Sequence, residues 1–292
     1  MHSFAVDHRQ GVAMSYQGYR QHTVLITGAS SGIGASFARS LAARGASLVL
    51  VARRRDRLEE LAAELRADHD VAVLAVSVDL ASPAAVATIL DALRTAHVSV
   101  TALINNAGFG TFGEFGSEEP ARLAQEIAVD VSAPVQLSHA FLPEIVTRHG
   151  FLINVASMAA YTPTPRMAVY GASKAFVLSF TESLWAETQG TGAAVFALSP
   201  GATSTEFNAV VGTEDATAGA KPRTPEAVVL TALAHLESRN PGPSVIDGAA
   251  NRFTATAIRF ASRRTTARMM HWVTDPARRA GLPKAAATPE RG

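Results

Sequence analysis

Residues 23–34 read T-V-L-I-T-G-A-S-S-G-I-G. The first five, Thr23 to Thr27, are β-branched or apolar without alternation, which suits a strand buried on both faces. Glycines at 28, 32 and 34 allow a tight turn and a close backbone approach, and the run through Phe37 and Leu41 continues as a helix. Strand, glycine-rich turn and helix in that order form an anion site. The first-turn N–H groups and the positive end of the helix dipole face whatever sits in the turn, such as a pyrophosphate. Gly28, Ser30, Ser31, Gly32, Ile33 and Gly34 are therefore candidate cofactor-binding residues. An ordinary strand-to-helix turn is the bland alternative.

The same alternation continues along the chain. Strands are expected at Ser47–Val51, Val71–Val78, Val100–Asn105, Phe151–Val155, Ala193–Leu198 and Ser244–Ile246. Helices are expected at Asp56–Ala67, from near Ser82-Pro83, from Pro120 unbroken to Arg148, and from Met167 to Glu187. Ser82 is placed to cap its helix and Pro83 to take the first helical position. Continuous apolar strands separated by helices imply an α/β fold: a doubly wound, parallel Rossmann-type sheet of about seven strands with helices on both faces. No repeat or linker divides the chain. Residues 21–248 read as one Rossmann-type domain and 249–275 as a helical C-terminal extension. Residues 1–20 read as a disordered extension, with Met14 an alternative start, and 276–292 as a flexible tail.

The 292 residues hold 26 Lys and Arg against 25 Asp and Glu, so no global field points to nucleic acid. The absence of cysteine removes disulfides, thiolate nucleophiles and Cys-based metal sites, and no metal is expected. It also fits a reducing compartment. No apolar run reaches the roughly 18 residues that span a bilayer, and the polar N-terminus lacks a signal-peptide core. A cytoplasmic location is expected.

The second strand ends in Arg53-Arg54-Arg55, with no acid before Asp56. An acid there would bind the ribose 2′-hydroxyl of NAD. A guanidinium instead can take the 2′-phosphate of NADP in a bidentate contact, so NADP(H) is expected over NAD(H), through Arg53 first and Arg54 second. A solvated basic helix start is the alternative. Asp79, followed by Leu80, either reaches the adenine or ends the third strand.

Tyr170 and Lys174 stand four residues apart, on one face of a helix. A phenol with an ordinary pKa of about 10 needs help to act as a base near neutrality, and a nearby ammonium favours phenolate. Ser157 follows the fifth strand, at the carboxyl edge where ligands sit, and can hydrogen-bond a substrate oxygen.

With Asn105-Asn106-Ala107-Gly108 and the P-G-x-x-x-T run from Pro200 to Thr205, these motifs resemble the short-chain dehydrogenase/reductase family over about Thr23 to Gly248. The resemblance implies Tyr170 as acid/base, Lys174 binding the nicotinamide ribose and lowering the Tyr170 pKa, and Ser157 positioning a carbonyl or alcohol. It implies Pro200, Gly201, Thr203 and Thr205 on the nicotinamide side, and Asn106, Ala107 and Gly108 beside the adenosine half. It also implies a homodimer or homotetramer through the helices at 120–148 and 168–188. Substrates would run from 3-oxoacyl groups to steroids and small ketones. One position departs: Asp130 stands where the family usually has an Asn in a proton relay. Paired with Lys174 it would weaken the help to Tyr170; retained activity with a shifted pH profile is expected.

Ala202–Arg223 suits a substrate lid or a plain surface loop. Ala159, Ala160, Tyr161 and Met167 are expected to border the pocket and favour a small apolar substrate. In the extension, Phe253, Ile258, Phe260, Met269, Met270 and Trp272 alternate with five arginines. Such a segment closes the pocket or binds a subunit, or, less commonly, lies on an anionic membrane. The function expected is a carbonyl reductase or alcohol dehydrogenase, and the alternative is a catalytically silent NADP(H)-binding regulator.

Overall fold

The computed structural model describes residues 18–207, 211 and 222–275. The strands are Thr23–Thr27 (β1), Ser47–Ala52 (β2), Val73–Ser77 (β3), Ala102–Asn105 (β4), Phe151–Val155 (β5), Ala194–Ser199 (β6) and Ser244–Ile246 (β7). The helices between them are Gly32–Ala42 (α1), Arg55–His69 (α2), Ala85–Thr95 (α3), Pro120–Ile127 (α4), Ala133–Thr147 (α5), Ala168–Glu187 (α6) and Pro225–Leu236 (α7). Ala249–Ile258 (α8) and Arg263–Val273 (α9) follow the last strand.

All seven strands pair in parallel in the order β3-β2-β1-β4-β5-β6-β7. The chain reverses direction across the sheet between β1 and β4, and a crevice opens beyond their carboxyl ends. One face buries Phe37, Leu41, Leu58, Phe196 and Val228 under α1, α2 and α7. The other buries Ile89, Leu93, Leu137, Phe141 and Ile145 under α3 and α5. Each large side chain so covered contributes about 1.5–3 kcal/mol.

Several boundaries differ from the sequence reading. β3 and β4 start two residues later than expected, where partners begin: Val73 opposite Leu48, and Ala102 opposite Val24 and Phe151. Ser82 does not cap α3. Its hydroxyl accepts from Ala84 N–H inside a turn that Asp79 organises, and the helix begins at Ala85. The long helix expected over 120–148 is broken by a π-helical turn, Ala128–Ser132. Pro134 has no N–H for the carbonyl of Asp130, so an unbroken α-ladder would lose a bond there, and the wider turn takes over.

The N-terminal extension was expected to reach residue 20, but Gly18–Arg20 are already placed. Tyr19–Gln21 form a 3₁₀ turn, and Tyr19 is buried with its hydroxyl donating to Glu237 at 2.7 Å. Residues 1–17, the tail 276–292 and most of the lid segment, 208–210 and 212–221, lie outside the described residues. The base of that segment is pinned, Ser204 N–H bonding Arg223 O and Arg223 N–H bonding Ala202 O.

Candidate active site

A cavity of about 660 Å³ runs along the carboxyl edge of the sheet. The β1–α1 turn lines it with Gly28, Ser30, Ser31, Gly32 and Ile33. Ser31, at the cap position of α1, makes no side-chain bond to the helix, so the first-turn N–H groups remain for a ligand. Gly34 does not line the cavity. A Cβ there would lie 2.3 Å from Gly28 O and 2.6 Å from Asn106 Nδ2, so this glycine lets α1 close on β1. The residues fit a dinucleotide: donor-rich turn, Arg53 and Arg54 beyond β2, Asp79 and Leu80 beyond β3, and Asn106, Ala107 and Gly108 beyond β4. The Asn106 side chain turns back to β1, donating to Thr27 O at 2.9 Å.

The two arginines differ. Arg54 donates to Ser30 Oγ and Ser31 Oγ, and pairs with Glu206 at 2.7 Å. Arg57 pairs with the other oxygen of the same carboxylate at 2.5 Å. Hydrogen bonds from Arg57 and Arg54 hold the Glu206 carboxyl down at about 2. Arg53 is exposed at the cavity wall. Glu206 and Arg57 were not anticipated, because no local spacing connects position 206 to positions 54 and 57.

At the other end, Ser157, Tyr170 and Lys174 line the same cavity. The Lys174 stem carries its Nζ beneath the Tyr170 ring, 5.6 Å from the centroid. There it donates to Val155 O at 3.2 Å and lies 3.1 Å from Asp130 Oδ2. Asp130 sits in the π-helical turn, fully buried behind the cavity wall, and its Oδ1 accepts from Phe109 N–H at 3.0 Å. Gly108 makes this approach possible, since a Cβ there would lie 2.9 Å from Lys174 Nζ and 3.0 Å from Asp130 Oδ2.

Burial pushes the Tyr170 hydroxyl above its ordinary 10.0; Lys174 and a Ser157 hydrogen bond oppose this, while Asp130 adds to it. The expected lowering by Lys174 is therefore present but outweighed. Burial alone would lower Lys174, yet Asp130 and Tyr170 hold it above its ordinary value as an ammonium. Burial raises Asp130, against the pull of Lys174. Glu126, which no motif marks, lies one helical turn before Asp130 and is also fully buried, with Thr111 Oγ1 donating to its Oε2 at 3.1 Å. The i, i+4 spacing of two acids on one helix was the available signal.

Pro200, Gly201, Thr203 and Thr205 line the cavity after β6. The lining also includes Phe109, Phe112, Met158, Met167, Phe207 and Ile258, with Met270 and Val273 of α9. Phe207 packs on the Tyr170 ring at 5.3 Å. Ala159 and Met167 border the pocket as expected, but Ala160 and Tyr161 do not: the Tyr161 hydroxyl lies 3.3 Å from Ser199 Oγ, turned toward β6. Among the described residues, no group of three His, Cys, Asp or Glu could hold a metal ion.

A family model described as short chain dehydrogenase matches residues 22–216. Sulfoacetaldehyde reductase 2 of Chromohalobacter salexigens is 40% identical over 190 residues, 64% of this chain and 75% of that protein. A solved short-chain dehydrogenase from Sphingobium yanoikuyae in complex with NADPH superposes with a TM-score of 0.72 at 34% identity, over 92% of this chain and 100% of that one. A 7beta-hydroxysteroid dehydrogenase structure superposes at 0.77 with 27% identity, over 87% and 99%.

Proposed function

This chain belongs to the short-chain dehydrogenase family and is an oxidoreductase acting on CH–OH and C=O groups; on that footing we propose an NADP(H)-dependent enzyme for apolar ketones or secondary alcohols, with Tyr170 as acid/base. The observation that carries the reading is the single cavity joining the glycine-rich turn and Arg53 to Ser157, Tyr170 and Lys174. NADPH, when bound, supplies the hydride that reaches the carbonyl carbon. The Tyr170 hydroxyl gives its proton to the carbonyl oxygen, which Ser157 Oγ holds in place. The Lys174 ammonium stabilises the phenolate left behind. Asp130 keeps Lys174 protonated while opposing the phenolate by its own charge.

Preference for NADP(H) rests on Arg53, with Arg54 exchanging Glu206 for the 2′-phosphate. An apolar substrate is supported by the aromatic and Met lining, and by the likeness to a hydroxysteroid dehydrogenase. A sulfonated aldehyde fits less well, because Arg53 and Arg54 stand at the cofactor end and Lys174 is held by Asp130, leaving no other lysine or arginine among the described residues that line the cavity. A homodimer or homotetramer in the cytoplasm, with no nucleic-acid partner, remains part of the reading. Among the described residues no helix is long and apolar enough to cross a membrane.

The test is NADPH oxidation followed at 340 nm against a panel of apolar ketones. Turnover is expected, and Tyr170→Phe should lower kcat by about 100-fold or more while NADPH binding persists. Tight NADPH binding with no turnover on any ketone or aldehyde would identify the silent regulator instead.

A further inference from the structure

Helices α8 and α9 each have two faces with different work. Asn251, Thr254 and Ile258 of α8, and Met270 and Val273 of α9, line the cavity. The opposite faces and the turn between the two helices are exposed and carry large apolar side chains that a solvated surface does not need: Phe260 in the turn is 88% exposed, Phe253 76%, Trp272 58% and Met269 45%. Interleaved with them stand Arg252, Arg259, Arg263, Arg264 and Arg268, all exposed. Five of the chain's 26 cationic residues and none of its 25 carboxylates lie in the segment 249–274. Among the described residues none of these five guanidiniums forms an ion pair. The rest of the chain holds 21 Lys and Arg against 25 Asp and Glu, so the net positive charge comes from this segment.

We propose that the outer face of α8 and α9 is a docking surface for an anionic lipid bilayer, on which the enzyme sits peripherally. The argument is charge complementarity joined to side-chain type. Aromatic rings enter the headgroup–acyl boundary while neighbouring arginines meet lipid phosphates and carboxylates at the same depth. A juxtaposed basic cluster adds an attraction that falls with salt, as an exposed field must. A second copy of this face would set five arginines against five.

The experiment is co-sedimentation of the full chain with vesicles of phosphatidylcholine alone, or with about one third phosphatidylserine, at low and high salt. Binding to the anionic vesicles should exceed binding to the neutral ones by about tenfold or more, and should fall toward the neutral value in high salt. Two double variants, Phe253→Ser with Phe260→Ser and Arg263→Gln with Arg264→Gln, should each weaken binding by about tenfold. Both should keep NADPH binding unchanged, which reports an intact fold. Equal or absent sedimentation on the two vesicle types overturns the proposal, as does binding that both variants retain. No vesicle binding, together with a self-associating chain that Phe253→Ser/Phe260→Ser converts to a smaller species, assigns the face to a second copy.

Discussion

Glu126 holds a carboxyl group with no exposed surface, one helical turn from another buried acid. Burial pushes its pKa from 4.5 up to about 7; the Thr111 hydrogen bond pulls it down and the charge of Asp130 pushes it further up. A raised carboxyl pKa means that the folded protein holds the proton more tightly than the unfolded chain does. The stability this contributes is complete below pH 4.5 and is lost as pH rises through about 7. Between about pH 5 and about pH 8 the native protein should therefore lose up to about 3 kcal/mol that Glu126→Gln does not lose. Thermal unfolding of both proteins across that range reads the difference, and parallel curves would refute it. Asp130 was visible in the sequence because it occupies a motif position. Glu126 belongs to no motif, and only the fold removes it from water.

Elements meet at distances set by single glycines. Gly34 places the first turn of α1 against Gly28 O and Asn106 Nδ2, where a Cβ would lie at 2.3 and 2.6 Å. Both obstacles are fixed, one being backbone and the other an amide tied to Thr27 O. Gly34→Ala should lower unfolding stability by about 1–3 kcal/mol in a urea titration and weaken NADPH binding as the turn shifts. A variant of native stability would show that the helix has room to retreat. The spacing of glycines showed that something must come close at this turn. It did not reveal that the close neighbours are protein atoms at both positions, Asn106 and Ala107 at Gly28, and Gly28 O and Asn106 at Gly34. The break between α4 and α5 is similar: Pro134 was in plain view, but an apolar pattern on both sides reads as one helix. The π-helical turn matters because it carries Asp130 to Lys174.

Across the whole molecule, the amino-terminal turn is tied to the far end of α7. Tyr19 is buried, its hydroxyl donates to Glu237 at 2.7 Å, and Arg44 lies over its ring at 5.8 Å. Tyr19→Ala should cost about 3 kcal/mol in chemical denaturation, while leaving kcat for a ketone substrate near the native value. Stability within about 0.5 kcal/mol of native would mean that the turn does not support the core. By itself, the sequence determined the parallel sheet, its seven strands and the positions of Ser157, Tyr170 and Lys174. These follow from local information: unbroken apolar runs, glycine spacing and i, i+4 geometry each act within a few residues. Only the tertiary structure decided that Glu206 occupies Arg54 across 152 positions, that Tyr19 is core, and that burial outweighs Lys174 at the Tyr170 hydroxyl. Desolvation and long-range pairing depend on what the folded chain brings near a group, and no local pattern encodes that.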